Sequence, residues 1–482
     1  MKLVSRSHEQ SILEDFVESN QAEFLAIYGR RRIGKTYLVR QYFKNNKKVL
    51  FCNVTGSKNT PLNLQVERFI EEVSKTFYRS IPLQKGKRWD DAFKILTKAL
   101  EEISPRKKVI LFFDEFPWMA TKNSRLLGTL DYYWNQHWSQ NKRVKLIICG
   151  SSASWIVKNI INNKGGLHNR ITKKIKLEPF KLDEVEDFLK DKKLTRSQIV
   201  QLYMVTGGIP YYLTHIKNGL SIAQNVDFLA FGKDGLLVSE FDNLFSSLFE
   251  NAPLCKDLIR LINKKKSGVS QEDILKNMSH SGQTKGGTVL KNLEDLEMCG
   301  FIKRFKPYLH KRRGVYYKII DEYTAFYLNW IDPIKDQFDE FEEGYWEKQQ
   351  GSSQWCAWAG YNFEALCYKH INKIKSALKI KASAITSTWR FSSAKPNQNG
   401  AQIDLLFDRT DDTISLCEIK YTQKPFKIDS TFLDDFQSKT QVFKAVTRTK
   451  KQIFWTLISA AGVQRSKHVK ELSNVITLDD LF

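Results

Sequence analysis

The segment Phe24-Leu25-Ala26-Ile27-Tyr28 runs without a break into Gly29-Arg30-Arg31-Arg32-Ile33-Gly34-Lys35-Thr36. Five apolar residues in a row read as a buried strand. The eight that follow have the G-x-x-x-x-G-K-[ST] spacing, and the apolar pattern of Tyr37-Leu38-Val39 and Tyr42-Phe43 then predicts a helix. Strand, glycine-bounded loop and helix together make a phosphate cradle. Gly29 and Gly34 let backbone N–H groups approach an anion at the positive end of the helix, with Arg30, Arg31, Arg32 and Ile33 between them. Lys35 is placed for the β- and γ-phosphates, and the Thr36 hydroxyl for Mg2+. The cofactors expected are ATP and Mg2+.

Working outward, Lys107-Lys108-Val109-Ile110-Leu111-Phe112-Phe113 reads as a second buried strand ending in Asp114-Glu115. After such a loop, an Asp at a strand end is suited to hold Mg2+, and its neighbouring Glu to accept the proton of an attacking water. Asp114 is therefore the expected metal ligand and Glu115 the expected base. A third apolar run, Lys145 to Cys149, leads into Gly150-Ser151-Ser152, where either serine is a candidate γ-phosphate sensor. Alternation of short apolar runs with amphipathic helical patterns predicts a parallel sheet covered by helices.

The whole chain has 482 residues, about three domains' worth. Apolar residues make up 42%, ample for packed cores. No run reaches the roughly 18 apolar residues of a membrane span, and Met1 to Arg6 lacks a signal-peptide core, so a cytoplasmic protein without membrane contact is expected. Seven cysteines without Cys-x-x-Cys pairing fit a reducing compartment. With 76 Lys and Arg against 53 Asp and Glu, the net charge of +23 favours polyanionic partners, DNA first among them.

Several motifs together resemble the archaeal-type ATPases of the STAND group, which are AAA-related P-loop NTPases. They are Arg6 and Glu9, the glycine-bounded loop, Asp114-Glu115, Leu167 to Arg170, Glu178-Pro179-Phe180 and Gly208-Ile209-Pro210. The resemblance covers roughly residues 1–330. It implies that Arg6, Glu9 and Pro210 lie near the base, that Arg170 is a further nucleotide contact, and that the nucleotide acts as a switch. Homo-oligomers are possible on this reading.

Residues 251–320 carry 15 Lys and Arg against 6 Asp and Glu. Leu254, Leu258, Ile259 and Ile262 mark one helix face, and Ser270 with Asp273 marks the start of a second helix. Thr288 to Leu296 reads as a third helix. Phe301 to Phe305 and Val315 to Ile319 follow as a hairpin with Lys311, Arg312 and Arg313 at its tip. This is the pattern of a winged helix-turn-helix, with the three tip cations as candidate phosphate contacts. The competing reading is an intramolecular lid, because Glu294, Asp295 and Glu297 would repel phosphate.

Toward the end of the chain, Gly400 to Phe407 and Ile414 to Lys420 read as a hairpin. Period-two alternation puts Glu418 and Lys420 on one face, near Asp404. Paired carboxylates suit a hard divalent cation, and a neighbouring lysine suits a phosphodiester. Asp404 and Glu418 are the expected metal ligands. Asp404, Glu418, Lys420 and the upstream Glu364 are the catalytic candidates, and Gln402 could assist. The arrangement resembles the PD-(D/E)XK nuclease superfamily, in which an acidic helix residue such as Glu364 joins the metal shell. The competing readings are a ladder of cross-strand salt bridges and a nuclease-like fold that only binds.

The expected architecture is α/β. A P-loop domain with a helical lid occupies 1–235, a winged helix-turn-helix 236–330, an acidic connector or packed helix 331–350, and a restriction-endonuclease-like domain 351–482. The expected function is an ATPase that controls Mg2+-dependent DNA binding or cleavage. The alternative is an ATP-dependent signalling switch, or a DNA-binding regulator, whose C-terminal domain only binds a partner.

Overall fold

A computed structural model describes residues 3–104, 107–163, 165–167, 169–232, 234–280, 285–309, 314–340, 344–391 and 400–482. The chain divides into two compact units, Met1–Pro179 and Phe180–Phe482.

The first unit is built on five strands: β1 (Glu23–Tyr28), β2 (Val49–Thr55), β3 (Lys108–Asp114), β4 (Val144–Gly150) and β5 (Lys173–Lys176). All pair in parallel, in the order β2-β3-β4-β1-β5. Helices cover the sheet, which explains why β3 and β4 read as near-continuous apolar runs instead of alternating. One core clusters Phe69, Trp89, Phe93 and Phe113, whose rings meet edge-on, tilted or offset at 5.5–6.1 Å between centroids. The order leaves β3, β4 and β1 adjacent, so the residues at their carboxyl ends share one rim of the sheet. Ligands of open α/β sheets bind at that rim.

The second unit begins with helices that the sequence assigned up to residue 235 to a lid on the ATPase. Within that unit, Arg196–Thr206 packs on Glu322–Phe326 and on Ser353–Lys369. Helices Ala252–Asn263, Gln271–His280 and Gly286–Met298 follow, with Leu254, Leu258, Ile259 and Ile262 buried as their spacing required. The Ser270 hydroxyl accepts the Asp273 N–H at 3.0 Å, the expected N-cap. Strands β6 (Val269–Ser270), β7 (Ile302–Phe305) and β8 (Tyr316–Ile319) form a small antiparallel sheet, ordered β6-β8-β7.

The stretch read as a connector holds a short helix, Tyr345–Gln349, whose Trp346 is buried against Phe231, Phe326, Trp330 and Trp358. Strands β9 (Ile385–Phe391), β10 (Ala401–Asp408), β11 (Thr413–Lys420), β12 (Gln452–Ser459) and β13 (Asn474–Ile476) make a second five-stranded sheet. β9, β10 and β11 are antiparallel; β11, β12 and β13 are parallel. Helices Ser353–Lys369 and Ser430–Thr447 pack on this sheet. Among the described residues, no helix is long and apolar enough to cross a membrane.

Candidate functional site

In the first unit, Gly29 (φ 146°) and Gly34 (φ 90°) take backbone conformations that L side chains rarely adopt. A Cβ on Gly29 would lie 2.2 Å from the Leu177 carbonyl oxygen, so nothing larger fits there; around Gly34 the space is open. Gly34 caps the helix Lys35–Phe43, whose first N–H groups point at the loop. Lys35 is buried and its ammonium donates to the carbonyls of Gly29 (2.9 Å) and Arg30 (2.8 Å). The Thr36 hydroxyl donates to Asp114 Oδ2 at 2.9 Å and Oδ1 at 3.1 Å. Asp114 is 2% exposed, and burial raises its pKa above the ordinary carboxylate value while the Thr36 bond opposes the shift.

Glu115 sits in a left-handed conformation (φ 48°) at the end of β3. Both of its oxygens are held by Ser151 at the end of β4: Oε1 accepts the hydroxyl at 2.5 Å and Oε2 the backbone N–H at 3.2 Å. The donor set therefore fits a nucleoside triphosphate with Mg2+: an ammonium, helix N–H groups, a hydroxyl and a carboxylate within one rim.

The remaining candidates are dispersed. Arg30 and Ile33 are buried; Arg31 and Arg32 are half-buried. Arg6 is 6% exposed, donating to the Glu178 carbonyl at 2.7 Å and pairing with Glu9 at 3.5 Å, so it ties the first helix to the segment after β5. Arg170 is exposed. Pro210 opens a short helix of the second unit, after Gly208, whose Cβ would meet the Phe180 carbonyl oxygen at 2.2 Å.

In the second unit, β10 and β11 bring the C-terminal candidates together. Leu405 pairs with Cys417, and one step further Asp404 Oδ2 accepts the Ile419 N–H at 3.0 Å. Glu418 is buried and accepts from Lys420 at 3.3 Å and from Lys439 at 3.0 Å. Glu364, half-buried on the helix Ser353–Lys369, interacts electrostatically with Asp404, Lys420 and Glu418. Burial first, and then the adjacent carboxylate, raises the pKa of both Glu364 and Asp404. A divalent cation would relieve that repulsion. Among the described residues no three His, Cys, Asp or Glu side chains form a ready metal cluster. Two carboxylates still suit Mg2+, which keeps several of its waters. Gln402 is exposed beside them. Lys311, Arg312 and Arg313 lie outside the described residues.

Lys439 was not among the sequence candidates. It lies 21 residues beyond Glu418 on the helix Ser430–Thr447, and its i,i+4 pairing with Asp435 reads as an ordinary surface salt bridge. Tyr368 was missed as well; its hydroxyl donates to the Asp404 carbonyl at 2.5 Å.

Residues 3–216 match an ATPase domain found predominantly in Archaea. An uncharacterized protein of Methanocaldococcus jannaschii is 28% identical over 426 residues, 87% of each chain. An uncharacterized ATP-binding protein of the same archaeon is 41% identical over 44 residues, 9% of this chain and 75% of that one. Among solved structures, the Walker-type ATPase of Pyrococcus abyssi covers 68% of this chain and 96% of its own, at 19% identity and TM-score 0.46. The Aeropyrum pernix ORC2 protein, in its ADPNP–ADP complexes, covers 70% and 95%, at 15% identity and TM-score 0.44. The amino-terminal part of the chain is thus an archaeal-type, ATP-binding P-loop ATPase domain.

Proposed function

We infer that the chain is an ATPase whose nucleotide state controls metal-dependent cleavage of DNA by its C-terminal domain. On this reading Thr36 and Asp114 hold Mg2+ at the nucleotide, Glu115 is the base, and Arg6, Arg170 and Pro210 are secondary nucleotide contacts. Residues 236–330 act as a winged helix-turn-helix. Asp404 and Glu418 hold a second Mg2+, with Glu364 and Lys420 beside them. When bound, that ion would polarise the phosphodiester and acidify a water.

The observation that carries the reading is the meeting of Asp404, Glu418 and Lys420 on adjacent strands, with Glu364 beside them. Four chemistry-bearing side chains from a helix and a hairpin share one partly buried spot, where a surface salt-bridge ladder would be solvated throughout. One observation favours the binding-only reading: Lys420 and Lys439 already satisfy both Glu418 oxygens, so two ammonium groups compete with a metal there.

The experiment that decides is incubation of the protein with linear and circular DNA, with Mg2+ or Mn2+, with and without ATP, beside Lys420→Ala. Cleavage lost in the variant supports the nuclease reading. DNA retained without cleavage supports the regulator, and no DNA interaction leaves the signalling switch.

A further inference from the structure

A cleft of about 430 Å³ opens within the second unit, and the carboxylates form only one of its walls. Glu364, Asp404 and Gln402 line that wall. The opposite wall is the small antiparallel sheet and its turn, including Lys265, Lys266, Gly268, Tyr316 and Lys318. Residues more than eighty positions apart in sequence therefore face one space.

Lys318, on β8, is the most informative of them. Its ammonium lies 3.7 Å from the centroid of the Tyr368 ring and 5.4 Å from that of Phe305. Among the described residues it has neither a hydrogen-bond nor an ion-pair partner, although it is only partly exposed. A half-buried cation held by ring faces keeps its three N–H donors for an anion. Tyr368 is also the residue that bonds the Asp404 carbonyl, so one ring positions both the lysine and the strand bearing the carboxylate.

The rest of the lining fits a nucleotide strand. Lys265, Lys266 and Arg390 add positive charge, against Asp273, Glu364 and Asp404. Arg390 is exposed and spends one guanidinium nitrogen on the Ser267 hydroxyl at 2.7 Å. Phe305, Tyr316 and Phe391 are half-buried ring faces of the kind on which bases stack. The volume lies in the range of small-ligand clefts, about 300–1,000 Å³. A B-form duplex, whose major groove alone is about 12 Å wide, is too bulky to enter it.

We propose that this cleft takes a single strand of DNA, with the backbone phosphate between Lys318 and the carboxylates, so that the small sheet supplies a phosphate-binding residue to the C-terminal domain. This rests on the cleavage reading for its purpose, but the binding can be measured without cleavage. A fluorescein-labelled twelve-nucleotide DNA is titrated in EDTA by anisotropy, as a single strand and as a duplex, against wild type, Lys318→Gln and Arg390→Gln. Arg390 is exposed, so its variant tests the cleft even if Lys318→Gln does not fold. The strand should bind at least tenfold more tightly than the duplex, and each variant should lose about tenfold for the strand.

Equal affinity for strand and duplex, or strand binding unchanged in a folded Lys318→Gln and in Arg390→Gln, overturns the proposal. Strand binding that depends on these residues, in a protein that never cleaves with Mg2+ or Mn2+, supports the cleft and sinks the nuclease reading. Cleavage of DNA indifferent to both variants does the reverse.

Discussion

At the scale of single residues, the nucleotide site turns on a few charged and polar groups. Lys35 gives two N–H bonds to the loop that it would turn toward phosphate, so Lys35→Ala removes the main cation of the cradle. Charge-assisted hydrogen bonds contribute about 1.5–3 kcal/mol each, so ATP affinity in that variant should fall at least a hundredfold by calorimetry, with the melting curve little changed. Unaltered affinity would defeat the assignment of the loop. Ser151 allows a subtler test. It donates to both oxygens of Glu115, so these two bonds compete with a water for that carboxylate. Ser151→Ala should therefore raise basal ATP turnover several-fold, whereas Glu115→Gln should abolish it. Equal turnover in Ser151→Ala and wild type would mean the contact is structural only.

At the scale of elements, His370 shows how a buried group couples folding to pH. Its Nε2 accepts the Leu182 N–H at 3.1 Å and its Nδ1 meets the Leu366 carbonyl at 2.8 Å, so the neutral ring joins two helices of the second unit. The residue is 2% exposed, and burial lowers its pKa from 6.5 to about 4. The folded value is depressed, so the contribution is intact above pH 6.5 and is lost as pH falls toward 4, because the unfolded chain takes up the proton first. The full loss is about 3 kcal/mol. His370→Asn should be less stable than wild type at pH 7.5, and the gap should narrow at pH 4.5 in guanidinium titrations. A gap independent of pH would contradict this.

The same scale explains what could be read from the chain alone. Strand β1, its loop and the following helix obey short-range rules, so Phe24 to Phe43 was legible to within a residue. The Asp404 and Glu418 hairpin was legible for the same reason, since period two and a short turn fix its register. Lys439 and Lys318 were not, nor was the contact of Ser151 with Glu115, because each is made only through tertiary packing. Nothing local separates Lys439 from a helix-surface lysine, or Lys318 from any other lysine of a basic hairpin. Amphipathic spacing tells which face of a helix is buried but not against what, so the packing partners of the helices from Leu182 onward were not legible either.

For the whole molecule, the surplus of 23 positive charges makes electrostatics the natural readout of nucleic-acid contact, but total charge and local contact predict different salt dependences. Release of condensed counterions makes the affinity for a single strand fall with a log–log slope near −0.7 per neutralised phosphate. If Lys265, Lys266, Lys318 and Arg390 each meet one phosphate, the slope is about −3, and affinity drops about fiftyfold between 50 and 200 mM salt. A diffuse attraction spread over the basic surface would instead engage many phosphates, with a steeper slope that no single substitution alters. In the cleft, removing one cation subtracts one phosphate. The slope for Lys318→Gln should therefore be shallower than wild type by about 0.7. Anisotropy titrations of the labelled strand at five salt concentrations separate the two cases. A parallel displacement of the variant's line, with no change in slope, would remove Lys318 from the phosphate contacts, and a flat line for wild type would remove the polyanion altogether.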